Sequence, residues 1–451
     1  MRGQGVGRVV LLVGFCLSGS DVAVAQTTAQ FPVTFDFTTP GARSLAMGGA
    51  FVGAADDATA AFTNPAGLAF YGKLEVSVEG RFGSLETPFL SGGRVSGSIT
   101  GRGLDTVPAP IYSRDTDQRV GLAFVSVMMP VGARMTVTGY RHELARVDNS
   151  FFTQGAFLRD TFFGVTDDAN REVPIGGRRQ VAITNYGGTI GIRLNESFAI
   201  GGGLAISRFR LDSQFARYGL VSDLFSPPDR RLVGATAVQS SKDFAASVNA
   251  GVLWKPTTSI HLGATFRSGA RFDFTQHDQV FDTGFDLSRS GHFKVPNVWG
   301  GGMFWSPLVS GRLRVLLDYS RVHYSQLKDD FVTFQALASG RAQQLRIKNG
   351  GELRGGAEYQ IGNTRIVLPR VGLWLDPDHT ITYVPTAAHD ATDTFYRATL
   401  PGGERLVHVT FGLGVVWSEL FEFHVGSDLS SRSKLLTASV IRRFRRAAKT
   451  P

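Results

Sequence analysis

Segment after segment of this chain alternates apolar and polar residues with a period of two, over lengths greater than an ordinary strand needs. In Leu74 to Phe82, Leu74, Val76, Val78 and Phe82 share one face, and Glu75, Ser77, Glu79 and Arg81 share the other. Leu313, Val315, Leu317 and Tyr319 oppose Arg312, Arg314, Asp318 and Ser320 in the same way. Leu353, Ala357 and Tyr359 oppose Glu352, Arg354 and Glu358. Val407, Val409, Phe411, Leu413, Val415 and Trp417 oppose His408, Thr410, Gly412 and Gly414, and Phe421, Phe423, Val425 and Leu429 oppose Glu422, His424 and Asp428. Period two marks strands with one apolar face. Many of these segments run about nine to sixteen residues, where globular strands average about five or six and a tilted membrane strand needs about nine to eleven.

Strands are expected at 74–82, 118–129, 132–144, 179–194, 198–213, 244–255, 260–274, 292–305, 311–324, 347–361, 364–376, 405–418, 421–429 and 434–444. The total is about fourteen, an even number as single-chain bacterial barrels have. The connections alternate. Short ones are Pro130-Val131, 195–197, 256–259, 306–310, Gly362-Asn363 and Glu419-Leu420; long ones are 83–117, 145–178, 214–243, 275–291, 325–346 and 377–404. Short periplasmic turns with long outer loops characterise outer-membrane barrels. The expected fold is therefore all-β, a transmembrane antiparallel β-barrel of about fourteen strands with both termini periplasmic. Trp254, Trp305, Trp374, Trp417, Tyr319 and Tyr359 are candidates for interface girdles. The last strand ends on Phe444, with Arg442 on the same face as Val440.

The N-terminus points the same way. Arg2 and Arg8 precede an apolar run, Val9 to Leu17, and Ala23-Val24-Ala25 is a small-x-small cleavage signal. Residues 1–25 are read as a signal peptide. The single cysteine, Cys16, falls inside it, so the mature chain is expected to hold together without disulfides. No stretch of about 18 apolar residues offers a transmembrane helix. With 54 Gly and 34 Phe in 451 residues and mean hydropathy near zero, apolar residues come in alternation rather than in blocks. No linker divides residues 73–444, which are expected to form the barrel; 445–451 make a basic tail.

Residues 26–72 form a separate unit. Gly41 to Leu68 reads GARSLAMGGAFVGAADDATAAFTNPAGL, rich in Gly and Ala. Pro65 fixes φ and Gly67 can take φ > 0, so Asn64-Pro65-Ala66-Gly67 is expected to make a rigid turn. The run resembles the N-terminal hatch of the outer-membrane long-chain fatty-acid transporter family, FadL with its TodX-type toluene-channel relatives. The likeness returns weakly at Lys294 to Val298 leading into Gly300 to Pro307, at Leu353 to Tyr359 and at Leu406 to Trp417. It implies a fourteen-stranded barrel plugged by its N-terminal segment. It further implies that hydrophobic molecules pass from an outer-loop groove into the lumen, then leave sideways through the wall as the hatch shifts. The Asn64-Pro65-Ala66-Gly67 turn closes that hatch.

The long loops carry apolar clusters: Phe215, Tyr218, Leu220, Val221, Leu224 and Phe225 in 214–243, and Val280, Phe281, Phe285 and Leu287 in 275–291. Residues 145–178 add Phe151, Phe152, Phe157, Leu158, Phe162 and Phe163. Exposed apolar clusters usually bind something; packing against each other to stiffen the loops is the competing reading. The resemblance places a ligand groove in the third and fourth outer loops, which singles out Phe215, Tyr218, Leu220, Leu224, Phe225, Phe281, Phe285 and Leu287.

Other signals point to structure. One of Asp56 and Asp57 is expected to cap a short helical turn. The inward charges Glu75, Glu79, Arg81, Arg312, Arg314, Asp318, Glu352, Arg354 and Glu358 suit a lumen ion-pair network that seats the hatch, and an arginine among them could hold a fatty-acid carboxylate. His408 and His424 face inward without a legible catalytic serine, and no enzyme activity, metal site or cofactor is expected. Gly201 to Gly203 and Gly300 to Gly302 fit bends or close approach. A net charge of +9, spread along the chain, is no nucleic-acid signature. The expected partners are hydrophobic small molecules, outer-membrane lipid and lipopolysaccharide (near Arg217, Arg230 and Arg231), and the barrel-assembly machinery. The alternative is a secretion-associated barrel of the same fold, a docking shuttle or scaffold for exported proteins.

Overall fold

A computed structural model describes residues 36–162, 164–172, 174–333 and 340–444. The expected signal peptide, residues 26–35 and the basic tail lie outside the described residues. The strands are β1 (Leu74–Gly93), β2 (Pro110–Val131), β3 (Met135–Phe152), β4 (Phe157–Phe162), β5 (Val165–Arg171), β6 (Ile175–Arg193) and β7 (Phe198–Leu220). Next come β8 (Pro228–Trp254), β9 (Ile260–Arg267), β10 (Arg271–Val280), β11 (Phe285–Lys294), β12 (Val298–Trp305), β13 (Leu313–Val322) and β14 (Leu345–Arg346). The remainder are β15 (Gly350–Tyr359), β16 (Ile366–Asp376), β17 (Thr382–Tyr383), β18 (Leu406–Ser418), β19 (Phe421–Leu429) and β20 (Ser433–Phe444).

Fourteen strands close a ring in the order β8-β7-β6-β3-β2-β1-β20-β19-β18-β16-β15-β13-β12-β9 and back to β8. Neighbours are antiparallel, and β1 meets β20 from Leu74↔Phe444 to Leu85↔Ser433. The hairpin β10–β11 extends the outer half of β8, and β4–β5 and β14–β17 are small sheets among the outer connections. No helix among the described residues is long and apolar enough to cross a membrane. The barrel wears its apolar face outward, as lipid demands: Val78, Phe82, Leu204, Val371, Phe411 and Leu413 are exposed, whereas Glu75, Glu79, Asp318 and Glu358 are buried.

Several strand limits differ from expectation. β1 continues to Gly93, β2 starts at Pro110, β7 runs to Leu220 and β8 starts at Pro228, so much of 83–117 and 214–243 is strand rather than loop. Above the lipid a strand no longer needs one apolar face, so the alternation fades while the backbone ladder continues. Conversely, the strands expected at 260–274 and 292–305 each break, at 268–270 and 295–297. Pro296 has no N–H to give the ladder, and a Cβ on Gly269 would lie 1.8 Å from the Val295 carbonyl oxygen. Trp254, Trp305, Trp417, Tyr319 and Tyr359 face outward. Trp374 does not: its ring stacks on His408 at 3.9 Å and its Nε1 donates to Asp428 at 2.9 Å, inside the lumen.

The described part of the N-terminal unit fills the lumen. It contains helical turns at Ala42–Leu45 and Ala60–Thr63 and a 3₁₀ helix at Pro65–Phe70. Small residues on both sides allow this fit; a Cβ on Gly201 of β7 would sit 2.3 Å from the Pro65 backbone. Asn64 caps the 3₁₀ helix by accepting from the Ala66 N–H at 3.3 Å, with Pro65 at its first position. Gly67 is not left-handed, contrary to expectation; space requires it, since a Cβ would lie 2.0 Å from the Ala55 oxygen. Asp57 accepts from the Thr59 N–H and hydroxyl at 2.8 and 2.5 Å, just ahead of the second turn, whereas Asp56 pairs with Arg43 at 2.7 Å.

Candidate functional site

Inward-facing positions change chemistry along each strand. On β6 they pass from Asn185 to Ile183 and Val181, and on β7 from Ser207 to Phe209 and Leu211. Two zones result, one built to hold the hatch and one built to be apolar.

In the hatch zone, wall side chains accept or donate what the hatch backbone leaves open. Asp318 accepts from the Phe51 and Val52 N–H groups at 2.5 and 2.8 Å, Glu79 from Gly41 at 2.7 Å and Glu75 from Ala58 at 3.2 Å. Asn249 Nδ2 donates to the Ala61 oxygen at 2.8 Å, and the Thr265 hydroxyl to the Thr63 oxygen at 2.9 Å. Asn64 Nδ2 donates to Val52 within the hatch at 2.9 Å and to Val252 of the wall at 3.1 Å. Glu358 gathers Arg43 of the hatch (3.3 Å) with Arg314 (2.8 Å) and Arg370 (2.6 Å) of the wall. The periplasmic mouth, a recess of about 440 Å³, is lined by Arg43, Asp56, Tyr71, Arg314, Glu422 and Arg443 among others.

The outer zone is aromatic. Phe209 stacks on Phe272 at 4.8 Å and on Phe293 at 5.3 Å; Phe331, from the outer connection 323–346, meets Phe293 edge-on at 5.3 Å and Phe274 at 5.7 Å. These rings belong to one buried apolar cluster with Ala270, Val295, Leu144, Ala145 and Phe62. It leads to a cavity of about 100 Å³ above the hatch, lined by Phe37, Phe62, Tyr140, Leu144, Val248 and Ala270 together with polar groups such as Asn185 and Asn249. A second cavity of about 70 Å³ shares the 37–39 segment with the first and is lined by Arg81, Trp374, His379, His408 and Asp428. His379, beyond the end of β16, stacks on Tyr324 at 4.2 Å and pairs with Asp376 at 3.4 Å. Burial works against its charge, but Asp376 more than offsets that, and the pKa is pushed up to about 9.

The wall is discontinuous at two places beside the first cavity. β2 pairs with β3 only from Phe124↔His142 to Val131↔Met135; beyond bulges at Ala123 and Leu144 the two strands part. Thr38 of the hatch donates its N–H to the Leu144 oxygen at 2.9 Å on the bulged β3. β8 pairs with β9 through residues 249–254 and with β10 through 235–240, and with neither in between. Sequence reasoning located neither, although Gly269 and Pro296 mark the second.

Arg179 on β6 was also missed. It is buried, and none of its three guanidinium nitrogens has a hydrogen-bond partner among the described residues. Its guanidinium carbon lies 4.9 Å from the Phe215 ring and 5.4 Å from Phe331. Ser213, its ladder neighbour on β7, has a buried hydroxyl without a partner among the described residues. Donors without acceptors in an apolar setting suit an anionic head group carried on an apolar body.

The eight expected groove residues do not converge. Phe215 is buried with Phe89, Phe151 and Ile175. Tyr218 lies 5.7 Å from Phe152, Phe225 stacks on Phe157 at 5.8 Å, and Phe285 packs on Ala235 and Val280. Leu220 is half-buried, and Leu224, Phe281 and Leu287 are exposed. No cluster of three or more His, Cys, Asp or Glu among the described residues is placed to hold a metal.

A family model described as outer membrane protein transport protein (OMPP1/FadL/TodX) matches residues 144–417, a span that begins after the hatch. The structure is similar to a Pseudomonas aeruginosa FadL homologue (13% identity, TM-score 0.58, covering 92% of this chain and 100% of that one). It is similar to the Pseudomonas putida toluene transporter TodX (13% identity, TM-score 0.58, 91% and 100%) and to the Ralstonia pickettii toluene transporter TbuX (12% identity, TM-score 0.56, 91% and 100%). No curated protein sequence matches. At such identities the solved structures speak for the fold alone.

Proposed function

This chain belongs to the OMPP1/FadL/TodX family of outer-membrane transport proteins, and from that premise we propose that it is a passive channel for hydrophobic compounds with lateral release through the barrel wall. The supporting observation is the division of the lumen. An aromatic column leads from the outer connections to a cavity, and the direct route onward is closed by the hatch and its charged seat. An apolar solute gains about 0.8 kcal/mol per buried CH₂ in the column, but among the charges below it would strip polar groups of their partners. A cavity of about 100 Å³ approaches the ~150 Å³ engineered cavity that binds benzene, so a single aromatic ring fits with modest widening and a long acyl chain needs the hatch or wall to yield. A fatty acid would find a partner for its carboxylate at Arg179. Asn64, bonded to both hatch and wall, is the residue whose loss should free the hatch. The secretion-associated alternative is not favoured, since the family matched is one of transport proteins.

The test is uptake of labelled toluene and oleate by cells carrying the protein, its Phe209→Arg variant, its Asn64→Ala variant or none. A charge in the column should cut uptake at least tenfold, and Asn64→Ala should change its rate. Uptake equal in all four cell lines would end the channel reading. Mass spectrometry of extracts from the detergent-purified barrel, against detergent alone, would name the ligand class.

A further inference from the structure

Phe209 turns inward from β7 into the aromatic column, so its chain neighbours Arg208 and Arg210 turn outward, to the membrane side. The ladder sets them in a basic row. Arg146 of β3 lies opposite Ala182 of β6, Ala182 opposite Arg210, and Arg210 opposite Lys242 of β8. Arg146, Arg210 and Lys242 are exposed. Arg208 stands one step nearer the periplasm, between Thr184 and Phe244. Below it the outward face turns apolar: Phe244, Ile206, Tyr186, Leu204 and Val248 are exposed. The stretch of β8 from Phe244 to Trp254 matches the about nine to eleven residues that a tilted strand uses to cross lipid, and both ends are aromatic, as interface girdles are. The basic row therefore stands at the outer rim of the apolar belt, level with the head groups of the outer leaflet.

This row lacks counter-charges. Among the described residues, the side chains of Arg208, Arg210 and Lys242 make no ion pair and no hydrogen bond. Arg146 donates to the Val120 oxygen at 3.1 Å and makes no ion pair. Most carboxylates nearby are engaged. Asp148 accepts from Arg178 at 2.7 and 2.9 Å and from Gln180 at 2.7 Å, and Glu143 faces Arg141 at 3.8 Å. Asp243 accepts from the Phe244 and Asp273 N–H groups at 2.7 and 2.8 Å. Asp212, one step outward from Arg210, pairs with no member of the row. Like charges directly opposite on a ladder destabilise a sheet, and Arg210 and Lys242 are so placed. A bridging anion removes that cost. Phosphate suits it, because the guanidinium fork binds phosphate through two parallel bonds. Strands about 4.8 Å apart put the backbones of Arg146 and Lys242 about 14 Å apart, the scale of a disaccharide with a phosphate at each end.

We infer that this row is a lipid A site, with the glycolipid's phosphates on Arg146, Arg210 and Lys242, supported by Arg208, and its acyl chains running down over Phe244, Ile206 and Leu204. The arginines expected from sequence to meet lipopolysaccharide are placed differently. Arg217, Arg230 and Arg231 lie farther out on β7 and β8, Arg230 over the Phe152 ring at 3.9 Å and Arg231 paired with Asp229 at 2.9 Å. Lipid A on the row braces from outside the wall that carries Phe209 within.

The test uses the full-length barrel in detergent, stripped of lipid, with diphosphoryl lipid A as the probe and native mass spectrometry as the readout. A heat-shifted gel band reports that each variant is folded. The wild type is expected to hold one lipid A, and Arg146→Gln/Arg210→Gln/Lys242→Gln to bind it at least tenfold more weakly. Arg230→Gln/Arg231→Gln should stay within twofold of wild type. Phosphatidylglycerol should bind the wild type at least tenfold more weakly than lipid A, and inorganic phosphate should not displace lipid A. Wild-type affinity in the triple variant, or a loss confined to Arg230→Gln/Arg231→Gln, overturns the inference. Equal binding of phosphatidylglycerol, or displacement by inorganic phosphate, overturns it too, since the row would then take any anionic head group or free phosphate. Should the triple variant fail to fold, Lys242→Gln and Arg210→Gln singly are expected to weaken binding several-fold, and wild-type affinity in both would have the same consequence. Uptake is not the readout, so the outcome is independent of the channel reading.

Discussion

The two halves of the lumen use the same inward positions for opposite ends. Toward the periplasm, inward residues are Glu75, Glu79, Asp318 and Glu358, and each is tied to the hatch or to an arginine. Toward the outside they are Phe209, Leu211, Phe272 and Phe293, packed on each other. Charges sit where the hatch's open backbone groups need partners, beside apolar contacts such as Met47 and Phe51 with Phe304 and Leu316. Aromatic rings sit where a solute must slide past without strong, slow-breaking bonds. A pore with either chemistry throughout would fail, since a wholly apolar lumen would not hold a hatch rich in open backbone groups, and a wholly charged one would refuse the solute.

The sharpest way to break that contrast is at the hatch seat. Asp318→Ala leaves two buried N–H groups, of Phe51 and Val52, without their acceptor. At about 1–3 kcal/mol for each unmade bond, the two together weaken hatch seating by about 2–6 kcal/mol. Bilayer conductance should rise and residues 41–68 should become protease-sensitive, while Asp318→Asn, which keeps one acceptor oxygen, should do so less. A tight, protected hatch in Asp318→Ala would mean the seat is held by packing alone. In the apolar half the corresponding change is Phe209→Ala, which removes the ring shared by Phe272 and Phe293. Its expected cost is roughly 3–5 kcal/mol in denaturant unfolding, with the hatch left in place.

Much of this contrast is legible in the sequence. Which residues face inward follows from alternation, and the strand count follows from it too. The switch from Ser207 to Phe209 on one face is visible once that face is known. What escaped was set by contacts distant in sequence or by a single extra residue. Ala123 and Leu144 are bulges that shift the inward parity within otherwise regular strands. The break at 268–270 follows from the close approach of Gly269 to Val295, and that distance has no signature in alternation, though Pro296 within an expected strand was a warning. Trp374 reads as one more girdle residue until His408 and Asp428, from two other strands, are seen to claim it. The expected groove residues are spread out because much of 214–243 is strand, β7 running to Leu220 and β8 starting at Pro228, which carries Phe215 into a buried cluster with Phe89 and Phe151.

Arg179 is the exception within the apolar half and sharpens the comparison next. It has no acceptor among the described residues, and its guanidinium lies over the rings of Phe215 and Phe331. Replacing a buried charge met by ring faces rather than by an acceptor with an apolar side chain of similar length should stabilise the barrel, by about 1–4 kcal/mol on the scale seen for buried ionic groups. Arg179→Met should therefore unfold at higher denaturant concentration and bind oleate less well relative to toluene. A less stable Arg179→Met barrel, purified free of ligand, would show that the guanidinium is needed for packing.

The smallest expected effect lies at the edge between the two halves. His379 lines the second cavity, stacked on Tyr324 and paired with Asp376, and its pKa is raised from 6.5 to about 9. The histidine thus binds its proton more tightly in the folded barrel than in the unfolded chain. Its contribution is complete below about pH 6.5 and is lost as pH rises through about 9, with no loss on the acid side from this group. The segment following β16 should therefore loosen between about pH 7 and pH 10. Hydrogen exchange of residues 377–390, corrected for the intrinsic base-catalysed rate, should rise over that interval in the wild type and stay flat in His379→Phe, which keeps the ring stack and lacks the charge. A rise of equal size in both proteins would assign the loosening to another group. No rise in either would mean that Tyr324 and the surrounding cavity wall hold the segment without the ion pair.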